Sequence, residues 1–97
     1  MTAHVLALQV DLRIPSARSL KDRRAVVTPL LEGARHRYAV SAADTGDDRR
    51  QRAELTFAVV SGGVARATEV MDSVERFVWS FPAVEVVSSR RRWLDVN

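Results

Sequence analysis

From His4 to Ile14 apolar and polar positions alternate. Leu6, Leu8, Val10, Leu12 and Ile14 share one face, and Ala7, Gln9, Asp11 and Arg13 share the other. This period of two predicts a half-buried strand, which Pro15 ends. The pattern then changes period. Leu20, Val27, Leu30, Leu31, Ala34 and Tyr38 recur at helical spacing, and Ser19 followed by Asp22 reads as a capping box at the helix start. Pro29 lies inside this helix, where it removes a hydrogen bond, so a kink is expected near Ala25 to Pro29 rather than a break. Gly33 weakens the same helix. Ala39 to Thr45 reads as a short strand of small residues, and Gly46 to Gln51 as a polar loop. Ala53 to Ser61 predicts a central strand, with Leu55, Phe57 and Val59 on one face and Thr56, Ala58 and Val60 on the other. Both faces are largely apolar, so both are expected to be covered or packed with small residues. After Gly62 and Gly63, an apolar stripe from Val64 through Ala67, Val70, Met71, Val74, Phe77, Val78 and Phe81 predicts the clearest helix, stopped by Pro82. Val84, Val86 and Val87 mark a last strand running into Arg90, Arg91, Arg92 and Trp93.

The order strand–helix–strand–strand–helix–strand is that of the α+β, ferredoxin-like split βαβ fold. Right-handed crossovers then place two helices on one face of a four-stranded antiparallel sheet with spatial order 4-1-3-2. The other face stays open unless a partner covers it. The 97 residues suit a single domain over residues 1–97, with 46% apolar and 28% charged residues as in folded soluble proteins. No apolar run approaches the ~20 residues of a membrane span. No charged segment followed by an apolar stretch opens the chain, so a cytoplasmic location is expected. Cysteine is absent, which excludes disulfides and thiol chemistry.

Charge changes the picture. The net charge is +3, and lysine occurs once, at Lys21, so arginine supplies nearly all of the positive charge. A helix start favours acidic side chains, because its unpaired N–H groups carry partial positive charge. Here Arg18, Lys21, Arg23 and Arg24 surround one acid, Asp22. The predicted topology brings Arg13 and this group beside Arg49, Arg50 and Arg52 of the hairpin, with Asp44, Asp47 and Asp48 among them. Two readings follow: a solvated, self-paired cluster, or a contact for phosphates. At the other end Arg35, His36 and Arg37 suit a helix C-terminus, near the tail of Arg90 to Arg92. Three adjacent arginines followed by Trp93 suit a nucleic-acid backbone and base stacking, or a solvated, frayed terminus.

The solvent face of the sheet carries no predicted aromatic ring, which argues against stacking of single-stranded RNA on it. Small residues at Ala7, Thr56, Ala58 and Val60 suit a sheet-to-sheet homodimer instead. Trp79, about 100° round the helix from Val78, lies roughly opposite the apolar stripe and suits a protein contact. Catalytic and metal readings are weak. The aspartate loop lacks calcium-ligand spacing, His4 and His36 are not paired, and Ser61-Gly62-Gly63 lacks a phosphate-loop pattern. No catalytic residue, metal ligand or cofactor is assigned.

Arg13 to Arg24 (Arg-Ile-Pro-Ser-Ala-Arg-Ser-Leu-Lys-Asp-Arg-Arg), Gln51 to Ala53 and Ala58 to Ser61 together resemble the YlxP-like family of small bacterial proteins. The resemblance covers nearly the whole chain. It implies a ferredoxin-like fold and no established catalytic activity. The family's genes often adjoin those of transcription-elongation, translation-initiation and ribosome-maturation factors, which implies work near RNA or the ribosome. Many members carry Leu-Trp before Gln-Arg, whereas this chain has Arg49 and Arg50. The expectation is a non-enzymatic accessory protein that contacts ribosomal RNA or a ribosomal subunit through Arg13, Arg18, Lys21, Arg23, Arg24, Arg49, Arg50 and Arg52. The alternative is a protein-binding or self-associating module using the sheet face and Trp79. In a third reading, paired domains hold a metabolite at their interface, and nothing polar on the predicted sheet face supports it.

Overall fold

Alternation and helical spacing build the elements they predict. A computed structural model describes residues 2–47, 49–94 and 96. Its elements are β1 (His4–Arg13), α1 (Leu20–Tyr38), β2 (Ser41–Asp44), β3 (Arg52–Ser61), α2 (Val64–Trp79) and β4 (Glu85–Trp93). The strands form one antiparallel sheet in the order β2-β3-β1-β4, the expected 4-1-3-2 read from the other side. Leu6, Leu8, Val10 and Leu12 of β1 join Leu55, Phe57 and Val59 of β3 on one buried face. Both helices cover that face. Val27, Leu30, Leu31 and Ala34 of α1 and Ala67, Met71, Val74 and Val78 of α2 belong to the same core. The fold is ferredoxin-like α+β.

Helix α1 begins at the predicted cap. Ser19 is extended, and its Oγ accepts the Asp22 N–H at 3.0 Å. The Asp22 carboxylate accepts in return from the Arg18 N–H at 2.9 Å, one residue earlier than a standard capping box. The helix runs unbroken through Pro29, which is exposed. It ends where Ala39 takes a left-handed conformation, φ 53°, and donates its N–H to the Arg35 carbonyl at 3.1 Å. The second strand therefore starts at Ser41 rather than Ala39. Helix α2 likewise stops at Trp79, not Phe81, although Phe81 still packs on the core.

One irregularity decides where β4 points its side chains. Asp11 of β1 faces Ser88, yet the next residue, Leu12, faces Val86. Val87 is the extra residue of a β-bulge and is exposed. The bulge reverses the alternation beyond it. Ser89, Arg91 and Trp93 lie opposite Val10, Leu8 and Leu6 on the helix side, and Ser88, Arg90 and Arg92 lie opposite Asp11, Gln9 and Ala7 on the open side. The open face is thus uncovered by the helices, and Val60 is 70% exposed there.

Candidate nucleic-acid interface

The basic end forms where the β1–α1 loop meets the β2–β3 hairpin. The Ile14 N–H donates to the Gln51 carbonyl at 2.9 Å, and the Gln51 side-chain amide donates to the Pro15 carbonyl at 3.2 Å. Arg50 donates to the Arg18 carbonyl at 3.3 Å. At the hairpin, the Gly46 backbone lies so close to Glu54 that a Cβ would sit 2.8 Å from the Glu54 Cβ, which requires glycine. Between loop and hairpin lies an open groove of about 510 Å³ lined by Ala17, Arg18, Arg49, Arg50, Gln51 and Arg52, with no carboxylate in its wall among the described residues.

Among the described residues, Arg18, Lys21, Arg24, Arg49, Arg50 and Arg52 are exposed and none is ion-paired to a carboxylate. Two acids of this end are occupied otherwise. Asp22 caps the Arg18 N–H, and Asp44 binds Arg23. Asp47 and Glu54 border an adjoining cleft with Asp11, touching the other side of Arg49 and Arg52. Asp48 lies outside the described residues. Arg13 is exposed at the end of β1, opposite Arg52 on one side and Glu85 on the other, and does not line the groove.

Arg23 departs from expectation. Its sequence neighbours group it with the exposed bases, but it is 3% exposed because position 23 falls on the apolar face of α1, one turn before Val27. Its Nε donates to the Arg52 carbonyl at 2.9 Å, and its Nη1 meets the Asp44 carboxylate at 2.6 Å. Nη2 is buried without a hydrogen-bond partner. Arg23 therefore holds the hairpin strands against the helix start and does not contribute to the exposed basic surface.

The second arginine group is also rearranged. Arg35 donates to the Ala42 carbonyl of β2, and Arg37 lies over the Phe77 ring at 5.2 Å. Arg90, Arg91 and Arg92 belong to β4, at the opposite edge of the sheet, so these groups do not meet. Nor is Arg90 to Trp93 a frayed tail; it is paired to β1, and Trp93 stands edge-on to His4 at 6.2 Å between ring centres. Arg91 turns to the helix layer and binds Asp72 and Glu75 of α2, each at 2.9 Å. Burial pushes the Glu75 carboxyl up, but hydrogen bonds from Arg91 and Ser89, the Arg91 charge and the Trp79 side chain outweigh it, and Glu75 titrates below the ordinary carboxylate range.

The expected protein interface splits in two. Ala7, Thr56, Ala58 and Val60 lie on the open sheet face. Trp79, 60% exposed, lines a groove with Asp72, Glu75, Arg76 and Arg91 in the helix layer. These residues cannot form one surface, because the sheet stands between them. No helix among the described residues is long and apolar enough to cross a membrane.

The family described as "Protein of unknown function (DUF503)" matches residues 5–91. The protein named "Uncharacterized protein YlxP" from Bacillus subtilis (strain 168) is 32% identical over 81 residues, covering 82% of this chain and 88% of its own. The resemblance to the YlxP-like family is borne out by that relative and by the family match. A de novo designed protein, Foldit4, superposes with a TM-score of 0.55 at 10% identity, over 98% of this chain and 97% of its own, a likeness of fold alone.

Proposed function

This chain belongs to the DUF503 family of proteins of unknown function, and we propose that it is a non-enzymatic accessory protein that grips RNA phosphates with its basic end. The observation that carries this reading is the groove lined by Arg18, Arg49, Arg50 and Arg52, whose wall holds no carboxylate among the described residues. Guanidinium groups match phosphate oxygens with paired donors, and they lose little by leaving water for such a partner. Two neighbouring acids are engaged elsewhere, Asp22 with the Arg18 N–H and Asp44 with Arg23, and Asp11, Asp47 and Glu54 line the adjoining cleft and not this groove. Lys21 and Arg24 add exposed positive charge on the first turns of α1, whose dipole favours an anion. Ribosomal RNA is the RNA to try first, since the gene neighbourhood implied by the family resemblance lies in ribosome maturation and translation.

The test is a double reversal, Lys21→Glu with Arg24→Glu, assayed by filter binding to purified ribosomal RNA at low salt. The expected result is loss of tenfold or more in affinity. Far-UV circular dichroism and melting should stay unchanged, because acids suit the first turns of a helix by a few tenths of a kcal/mol. A folded double variant with full affinity, or a wild type without affinity, rejects the reading.

A further inference from the structure

The open face of the sheet holds a second basin that has no part in the basic end. Its floor is Ala7 of β1 and Thr56 of β3, and its walls are Gln9, Arg90 and Arg92, with Arg91 contributing from the strand between them. It encloses about 420 Å³, within the ~300–1,000 Å³ typical of small-molecule sites. The Val87 bulge creates it, since without that extra residue Arg90 and Arg92 would turn toward the helices.

Its polar groups are nearly all donors. The Arg92 side chain has no hydrogen-bond or ion-pair partner among the described residues. Arg90 donates to Gln9 Oε1, which fixes the Gln9 amide and leaves its NH2 as a further donor. Among the described residues no carboxylate lines the basin. The nearest acid on the same strand, Asp11, accepts from Ser88 Oγ at 2.9 Å. Such a donor set calls for a ligand with several acceptor oxygens and negative charge. The floor is low, because Ala7 faces Ala58 across the strand pair and both present only a methyl group. A planar group can lie flat there beside guanidinium planes, which stack on aromatic rings.

We infer that this basin binds a nucleoside phosphate unit, its base on the Ala7–Thr56 floor and its phosphate between Arg90 and Arg92. The unit could come from a free mononucleotide or from one position of an RNA strand, and the same measurement separates these sources. Amide resonances of the full chain are followed by NMR during titration with AMP, with inorganic phosphate and with an adenylate hexanucleotide. Saturable shifts at Ala7, Thr56, Arg90 and Arg92 with AMP identify a free nucleotide site. The same shifts with the hexanucleotide alone identify a strand. In either case Arg92→Ala should weaken the response about tenfold. Ala7→Leu, which fills the floor, should abolish nucleotide binding while sparing any weak phosphate response. Both positions face the open side of the sheet away from the core, and a dispersed spectrum verifies folding. The Lys21→Glu, Arg24→Glu variant should keep these shifts, so failure of the basic end as an RNA contact leaves this site standing. The inference is overturned if neither nucleotide shifts these residues. It is equally overturned if phosphate alone binds as tightly as AMP, or if both Arg92→Ala and Ala7→Leu bind like wild type.

Discussion

Arg23 is a charge kept inside the protein by Asp44 and the Arg52 carbonyl, and its removal should be felt by the whole fold. Arg23→Met preserves most of the stem packing but strands the Asp44 carboxylate and the carbonyl. Breaking a fully buried pair costs several kcal/mol. Because Asp44 is 27% exposed and partly solvated, about 2 kcal/mol is the expected loss in urea denaturation. A solvated phosphate ligand would change stability by less than about 0.5 kcal/mol on substitution, so the size of the loss distinguishes the two roles. The sequence placed Arg23 among exposed bases because its neighbours Lys21 and Arg24 are exposed, and residue type outweighed helical phase. The phase was available: position 23 stands four before Val27 and seven before Leu30, both in the core. Gly33 was equally open to misreading, as a mere weakness in α1. A Cβ there would meet the Phe77 ring at 2.8 Å, and that ring is hemmed in by Tyr38 and Phe81. The glycine lets the two helices approach, a contact between distant segments that no local pattern announces.

Elements were legible wherever one face was buried. The period-two run of β1 and the stripe of α2 predicted the faces that carry the core, because burial enforces both patterns. Ends were less legible. Ala39 and Ala83 both adopt positive φ without being glycine, so the turns they make gave no compositional signal. The bulge in β4 was invisible for a related reason: Val86 and Val87 in succession fit either phase of a strand. The edge strand is fastened to α2 by Arg91 with Asp72 and Glu75, and this predicts a pH dependence. The folded-state pKa of Glu75 is depressed below its unfolded value. Its contribution is therefore fully present above the ordinary carboxylate range and is lost as pH falls through the lower folded-state value. Glu75→Gln should cost about 1 kcal/mol near neutral pH, a small value because both partners are partly exposed. The difference from wild type should shrink toward zero as pH falls from the ordinary carboxylate range through the lower folded-state value, measured as paired urea midpoints. A constant difference across that range would assign the loss to packing instead of charge.

At the scale of the molecule, the topology sorts a modest net charge of +3 into separate territories. Along the open face of β1 and β3, cross-strand pairs run from Val5 and Val60 through Ala7 and Ala58 and Gln9 and Thr56 to Asp11 and Glu54, then Arg13 and Arg52. An acidic step thus separates the basic end from the basin beside Arg90 and Arg92. The ferredoxin-like order and its strand neighbours could be read from sequence, because crossover handedness leaves few arrangements. The charge map could not, because it depends on Asp22 and Asp44 being occupied and on one extra residue in β4. The map makes a quantitative claim about RNA binding. Phosphate contacts release counterions, and each contact to a single strand adds about −0.7 to the slope of log affinity against log salt. If Arg18, Arg49, Arg50 and Arg52 act together, with Lys21 and Arg24 beside them, the wild-type slope should be roughly −3 to −4. Arg49→Ala with Arg50→Ala removes two of these contacts, so its slope should flatten by roughly 1 to 1.5 while its affinity at low salt falls. Diffuse attraction between RNA and a slightly basic protein behaves differently, since removing any two exposed arginines would then have the same effect. Arg66→Ala with Arg76→Ala, on α2 away from the groove, is the matched control and should leave the slope unchanged. Equal flattening in both double variants would show that net charge, and not the groove, governs the interaction.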